Sequence, residues 1–303
     1  MKTINNVQTS CLNTTKQISE DWACIQTIEF SELQKLSYKL PVEAKNLVEC
    51  GELDQYNNAF DRVSPKIPAA LQRFEKRQHF TATSSDDPVL QRLAKQKAGN
   101  VYATDTILGL LMACTRSVNA WDILVKKKDG EIWLDKRRTS NIDFLTVNEN
   151  WNEVNEKQDK DSVNHPEQLS REATLINHNF SQQILNKDDV MKFAEKNPFE
   201  NALEKGHEPA RVAYRYRKFE LVSGDDKPIN LVARCSINGY SVNNKGEKQL
   251  MMARALNQFD AKCSGNVEWK QKLESQLGAV LASEMKNNTN KLARWTAEAM
   301  LNG

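Results

Sequence analysis

Three hundred and three residues suffice for one large domain or two ordinary ones, a length at which folding buries roughly 75% of the unfolded surface. With 39% hydrophobic, 7% aromatic and 27% charged residues the composition is globular, and the absence of any run of about 20 apolar residues excludes a chain that crosses a bilayer by helices. Forty-two basic against 40 acidic residues give a net charge of +2, so any polyanion must be met by local clustering and not by overall charge.

The first 21 residues are rich in Asn, Thr, Ser and Gln and lack the apolar segment of a secretory leader, which predicts a loose tail over 1–21. Trp22 to Asp61 mixes short apolar runs with turn residues and reads as short strands and loops along one edge of the fold. Thr104-Asp105 precedes Ile107, Leu108, Leu110, Leu111 and Met112 at helical spacing, predicting a capped helix over Thr104–Ser117. Asp129-Gly130 between Trp121–Lys128 and Glu131–Lys136 predicts a hairpin. Residues 148–171 have only Trp151, Val154, Val163 and Leu169 as clearly apolar members, so this stretch cannot bury a core of its own and reads as a surface insertion.

A helix follows over Glu172–Leu185, then strands at Val212–Leu221 and Ile229–Ser236, with Asn238-Gly239 read as another hairpin turn. The last third predicts a strand at Ala279–Lys286 and a helix over Thr289–Leu301 with Leu292, Trp295, Ala299 and Met300 near one face. No internal repeat or domain boundary interrupts 22–303, which reads as a single domain. The six cysteines at 11, 24, 50, 114, 235 and 263 show no knuckle or redox spacing and read as separate reduced thiols.

Arg211, Tyr214, Arg215, Tyr216, Arg217, Lys218 and Phe219 interleave cations with aromatics, so a strand would put the tyrosines on one side and Arg215 and Arg217 on the other. That pattern suits a phosphate face beside a packing face, and equally an amphipathic strand with buried tyrosines and solvated arginines. Lys126 to Lys128 and Lys136 to Arg138 flank the hairpin, either as a cation cluster or as solvated edge charges. Thr174, Asn177, His178 and Ser181 fall at i, i+3, i+4 and i+7, a stripe of hydrogen-bonding groups without lysine, opposite Ile176, Phe180 and Ile184. Such groups suit the edge of a base or ribose, and a solvent-facing stripe is the plainer alternative. Glu284-Met285-Lys286 matches the E-x-K of metal-dependent nucleases, as do Glu43-x-Lys45 and Glu268-x-Lys270. The four histidines lack ligand spacing, and no phosphate-binding or nucleophile motif is present.

Gly99-Asn-Val-Tyr-Ala-Thr-Asp105, Cys114-Thr-Arg-Ser-Val118 with Trp121-Asp122, Ile176-Asn-His-Asn-Phe-Ser-Gln-Gln183, Val212-Ala-Tyr-Arg-Tyr-Arg217 and Lys291-Leu-Ala-Arg-Trp295 resemble the d subunits of eukaryotic translation initiation factor three, collinearly from about Trp22 to Leu301. The resemblance implies a cytoplasmic module that binds the methylated 5′ cap of mRNA, helps place selected messages on the small ribosomal subunit, and partners other subunits of the same factor, with no cofactor and no membrane. It implies cap contacts at Asp105, Val118, Asn119, Thr174, Asn177 and His178, with Asn119 standing where the family has a tyrosine.

That family is in turn similar to the decapping exoribonucleases, which implies an α+β fold of helices packed on twisted mixed β-sheets. The alignment puts Ser181, Arg234 and Ser236 at positions of the enzymes' metal-binding carboxylates, while Glu284 and Lys286 match their last motif. One remaining carboxylate is a poor site for a divalent ion, so the resemblance implies a vestigial active site kept as a binding cleft, without catalysis. Because Asp105 and Val118 lie about 20 Å apart along a helix, one nucleotide cannot easily touch both, and the helix is expected to line a tunnel. The insertion at 148–171 corresponds to a gate over the RNA path. Its acidic residues would repel phosphates, and a solvated loop is the alternative. The family has segments beyond both ends of this chain, so the chain is expected to be a shortened core. The competing readings are a metal-dependent decapping or RNA-degrading enzyme using Glu284 and Lys286, and a structural member of the initiation factor that does not bind caps.

Overall fold

The computed structural model describes residue 23 and residues 44–117, 120–138, 140–146, 165–222, 228–257 and 268–303. The expected tail over 1–21 and most of the expected gate lie outside the described residues, as do Val118, Asn119 and Cys11, Cys24 and Cys263. Among the described residues Cys50, Cys114 and Cys235 are free thiols, and no helix is long and apolar enough to cross a membrane.

Two strands open the described fold, β1 (Lys45–Cys50) and β2 (Glu52–Tyr56), separated by Gly51 at φ +96°, a conformation that favours glycine. The short β3 (Arg77–Gln78) precedes α1 (Pro88–Lys95), which starts on a strong signal: Pro88 occupies the first turn and Asp87 accepts the amides of Val89 and Leu90 at 2.8 and 3.0 Å. β4 (Val101–Thr104) runs directly into α2 (Asp105–Met112), capped by the Thr104 hydroxyl as its sequence predicts. A 3-10 turn over Cys114–Arg116 takes the place of the expected last helical turns.

β5 (Leu124–Lys128) and β6 (Glu131–Asp135) form the expected hairpin, with Asp129 and Gly130 both at positive φ. The next helix, α3 (Pro166–Gln183), begins six residues before its expected start, because Pro166 and the His165 cap set its first turn. Then come β7 (Leu185–Lys192), β8 (Glu208–Pro209), β9 (Ala213–Val222), β10 (Pro228–Ile237), β11 (Gly239–Val242) and β12 (Lys248–Met251). The described chain closes with α4 (Trp269–Lys272), α5 (Leu277–Asn287) and α6 (Thr289–Asn302).

The architecture is α+β with mixed sheets, as expected. A six-stranded sheet has the order β1-β9-β10-β4-β6-β5, with β10-β4 and β4-β6 parallel, and a four-stranded sheet has the order β12-β11-β2-β7. β1 does lie at a sheet edge, whereas β2 sits inside the second sheet. The chain passes directly from the first sheet to the second at Gly51 and at Asn238, and a third time by way of α3, between β6 and β7.

Period-two alternation along β9 and β10 feeds a core on each face of the large sheet. Tyr214, Tyr216 and Val232 pack with Val89, Leu90 and Leu93 of α1 on one face. Phe219, Leu231, Ala233 and Cys235 pack with Leu108 of α2 and Leu301 of α6 on the other.

Three expectations are corrected. Asn238-Gly239 is no hairpin turn but the passage between sheets. Gly239 is required by close approach, since a Cβ there would lie 2.7 Å from Leu185 Cδ2 and 3.1 Å from the Asp54 carbonyl. The expected strand over Ala279–Lys286 is the helix α5, consistent with a run of Ala, Leu, Glu, Met and Lys, all good helix formers. On α6 Ala299 is exposed, while Lys291, Ala297, Glu298 and Leu301 are buried.

Candidate functional site

The end of β10 forms the floor of a cavity of about 160 Å³, and α3 and the first half of α6 form its walls. The floor is set by Asp105 at the start of α2. Its buried carboxylate accepts the amide of Thr106 at 2.8 Å through one oxygen and the amide of Ser236 at 2.6 Å through the other. Just beyond the strand, Asn238 Oδ1 accepts the Ala253 amide at 3.1 Å and a guanidinium N–H of Arg254 at 2.7 Å. Arg254 also pairs at 3.1 Å with Glu298, whose carboxyl is raised by its burial in α6 against the lowering pull of Arg254.

The polar stripe of α3 faces this cavity and not solvent: Thr174, Asn177, His178 and Ser181 all line it, and Ile176 and Phe180 are only partly buried on the far side. Thr174 is committed to structure, its hydroxyl accepting the Leu145 amide at 2.9 Å and donating to the Ser170 carbonyl at 2.8 Å. Asn177 Oδ1 accepts the Ala255 amide at 2.9 Å, whereas no hydrogen bond among the described residues engages its Nδ2 or the ring nitrogens of His178. His178 stacks on His79, with centroids 3.8 Å apart and planes 9° from parallel. Burial, with the charge of Arg254 added, pushes the His178 imidazole down to about 4, and burial beside His178, Arg77 and Arg254 pushes His79 down to about 2. Both rings are therefore neutral near pH 7, and each presents one nitrogen donor and one acceptor.

Two of the three residues aligned with enzyme carboxylates, Ser181 and Ser236, bring only hydroxyls to the cavity, and Arg234 brings a cation. Arg234 is 5% exposed, donates to Asp87 at 3.0 Å and to the Ala82 carbonyl at 2.8 Å, and lies over the rings of Phe199 and Tyr214. Glu284 and Lys286 sit on the helix α5 and are absent from the cavity lining, with Glu284 accepting from Asn288 Nδ2 at 2.9 Å. Among the described residues no three His, Cys, Asp or Glu side chains come together in a way that could hold an ion, so this donor set does not fit a divalent metal.

Several of the other cations named from sequence are engaged elsewhere, while Lys127 and Lys128 are exposed on the hairpin. Arg215 pairs with Glu49 at 2.7 Å and donates to the Asn302 carbonyl at 3.0 Å, and Arg217 donates to the Leu301 carbonyl at 2.6 Å, so both tie down the C-terminal end of α6. On the hairpin Lys126 pairs with Asp135 at 2.8 Å, Lys136 with Asp143 and Arg137 with Asp122.

A smaller cavity of about 50 Å³ adjoins the first and shares Ile142, Phe144, Thr146, Asn290 and Arg294 with it; Ser117, Ala120 and Trp121 are among its other lining residues.

The profile of the family described as eukaryotic translation initiation factor 3 subunit 7 matches residues 1–303. The chain belongs to this family. It is 45% identical over 289 residues to the D-2 subunit of initiation factor 3 from Drosophila willistoni, covering 94% of this chain and 51% of that protein. It is 46% identical over 285 residues to the D subunit from Arabidopsis thaliana, covering 94% and 46%, and 44% identical over 289 residues to the one from Aedes aegypti, covering 94% and 45%. The chain thus spans about half the length of the curated relatives it matches.

In this member of the initiation factor 3 family, sequence reasoning named the α3 residues of the cavity together with Arg234 and Ser236 on β10, and missed others. His79, Asn238, Arg254, Lys291 and Arg294 line it as well. Only Lys291, Arg294, Trp295 and Glu298 carried a signal, the spacing i, i+3, i+4, i+7 on one helix face, which a search for apolar periodicity passes over.

Proposed function

We propose that the chain is a non-catalytic module of the translation initiation machinery that binds the 5′ cap of mRNA, brings selected capped messages to the small ribosomal subunit, and works in the cytoplasm beside other subunits of the same factor. The observation that carries this reading is the inward-facing stripe of α3. Asn177 Nδ2 and the neutral His178 ring offer uncommitted hydrogen-bonding groups inside a walled cavity, which is what reading a purine edge requires. Thr174 and Asp105 take supporting parts, Thr174 by fixing the 142–146 segment and Asp105 by holding the Ser236 backbone at the floor. The serines and the arginine at the three aligned carboxylate positions favour binding over metal-dependent cleavage.

The test is equilibrium binding of a short capped RNA and its uncapped triphosphate twin at fixed salt with magnesium, followed by a gel to assess RNA integrity. Cap preference with intact RNA is the expected result. Asn177→Ala with His178→Ala should lower that preference by at least tenfold, the scale of about 1–3 kcal/mol for lost specific hydrogen bonds. Equal weakening for both RNAs would reject the assignment, and cleaved RNA would return the enzyme reading.

A further inference from the structure

We propose that Glu298 of α6 sets the base specificity of the cavity, its carboxylate accepting the N1–H and 2-amino donors of a guanine whose O6 meets Asn177 on α3. This rests on the cap-binding reading for the ligand's identity, and on the chemistry of the two walls for the residue.

Guanine and adenine present opposite patterns along the edge that pairs with another base. Guanine has an acceptor at O6 beside donors at N1 and the 2-amino group, whereas adenine has a donor at its 6-amino group beside an acceptor at N1. A site that selects guanine therefore needs a donor near an acceptor, and an ionised carboxylate accepts more strongly than a neutral side chain. The α3 wall supplies the donor, Asn177 Nδ2. Among the described residues lining the cavity, only Asp143 and Glu298 carry carboxylates. The Asp143 side chain is 23% exposed and tied to Lys136, so water competes for its oxygens. That of Glu298 is 8% exposed, and a hydrogen bond made to it forms away from water.

Local structure holds this carboxylate in place. Trp295 and Glu298 fall at i and i+3 on α6, and both line the cavity. Gly109 stands inside α2, where glycine weakens a helix relative to alanine, and a Cβ there would lie 3.1 Å from Glu298 Cγ and 3.5 Å from Oε1. The missing side chain is what lets the stem of Glu298 lie against α2. Arg254 donates to Oε2 at 3.1 Å and is itself fixed by Asn238 Oδ1 at 2.7 Å and by the Ala253 carbonyl at 3.1 Å. No hydrogen bond among the described residues engages Oε1.

The surrounding charge suits the same role. Burial raises the Glu298 carboxyl, Arg254 and Arg294 lower it, and Asp105 adds to the rise. A base made cationic by methylation at N7 acts in the same direction as the arginines and favours the ionised, accepting form. Trp295 brings an indole to the same cavity, and an aromatic face attracts a positively charged ring.

The experiment measures the affinities of N7-methylguanosine triphosphate and N7-methylinosine triphosphate, which lacks only the 2-amino group, at a pH where both bases keep the N1 proton. The intact chain should bind the inosine form about tenfold or more weakly, the scale of a hydrogen bond to a charged group. Glu298→Gln keeps the shape and an acceptor for Arg254. It should bind the guanosine form about tenfold more weakly, and the ratio between the two ligands should fall below about threefold. Glu298→Asp, one methylene shorter, keeps the charge and should lose the same discrimination, and thermal melts report whether each variant folds. Equal affinities of the intact chain for the two ligands, a measurement that needs no variant, would overturn the proposal, as would a folded Glu298→Gln that discriminates like the wild type. Guanosine and inosine triphosphates without the methyl group separate this inference from the cap reading. If the wild type binds guanosine triphosphate as well as its methylated form, the cap reading fails, and a guanosine-over-inosine preference that Glu298→Gln abolishes would still support Glu298. A methyl preference with discrimination unchanged in Glu298→Gln would keep the cap reading and overturn this one.

Discussion

Asp87 has no exposed surface, and four groups converge on its carboxylate: the amides of Val89 and Leu90, the Tyr216 hydroxyl at 3.0 Å and the Arg234 guanidinium at 3.0 Å. One side chain thus starts α1, satisfies a core tyrosine and neutralises a cation buried against the cavity. Asp87→Ala should cost about 3–5 kcal/mol, because the Arg234 charge stays buried after its partner is gone, and a urea unfolding series measures it. A loss below about 1 kcal/mol would mean that other groups carry Arg234. The histidine pair predicts a pH dependence whose sign follows from the direction of its shifts. An unfolded imidazole titrates near 6.5, the folded ones near 4 for His178 and 2 for His79, so the unfolded chain binds more protons below 6.5. Their contribution is complete above pH 6.5 and declines as pH falls, toward 4 for His178 and toward 2 for His79, by on the order of 2 kcal/mol for each ring and about 4 kcal/mol for the pair between pH 7.5 and 5. His79→Gln with His178→Gln should flatten that part of the stability profile.

Among the elements, the direct passages between sheets at Gly51 and Gly239 carry steric demands of their own. At Gly239 an added Cβ meets Leu185 Cδ2 at 2.7 Å, Met251 Cε at 3.1 Å and the Asp54 carbonyl at 3.1 Å, so side chains and backbone would both have to yield. Gly239→Ala should therefore destabilise by about 1–3 kcal/mol, read from the shift in urea midpoint, although its backbone angle suits any residue. The sequence marks this glycine as special and leaves the cause open. Asn-Gly is a hairpin signal only when the flanking strands pair with each other, and here β10 pairs with β4 and β9 while β11 pairs with β2 and β12. Elements governed by local chemistry were legible: the Thr104 cap, the Asp129-Gly130 hairpin and the strands β9 and β10 occur within a residue or two of their predicted positions. α5 departs from its predicted strand although its residues are helix formers. Its Leu277, Leu281 and Met285 are each more than half exposed, so little burial was available to enforce a strand.

Over the whole molecule, a net charge of +2 gives a weak general field, and of the cations named from sequence Lys126, Lys136, Arg137, Arg211, Arg215 and Lys218 are held in ion pairs, while Lys127 and Lys128 of the hairpin are exposed. Binding to RNA should then depend on salt only shallowly. If two cavity cations meet two phosphates, the logarithm of affinity against the logarithm of salt should fall with a slope of about −1.4 for single strands. A slope near −5 would instead require a broad basic surface. The sequence by itself determined the α+β composition of elements, the resemblance that family membership later bore out, and the stripe of Thr174, Asn177, His178 and Ser181, because caps, turns and periodicity are set by residues within a few positions of each other. Only the tertiary structure decided which way that stripe faces, since a polar helix face looks the same in sequence whether it meets water or a cavity. It also decided which cations share the cavity and which are spent on α6 carbonyls or carboxylates. Those partnerships join residues far apart in the chain, such as Arg215 with Asn302 and Arg234 with Asp87, and no local spacing encodes them.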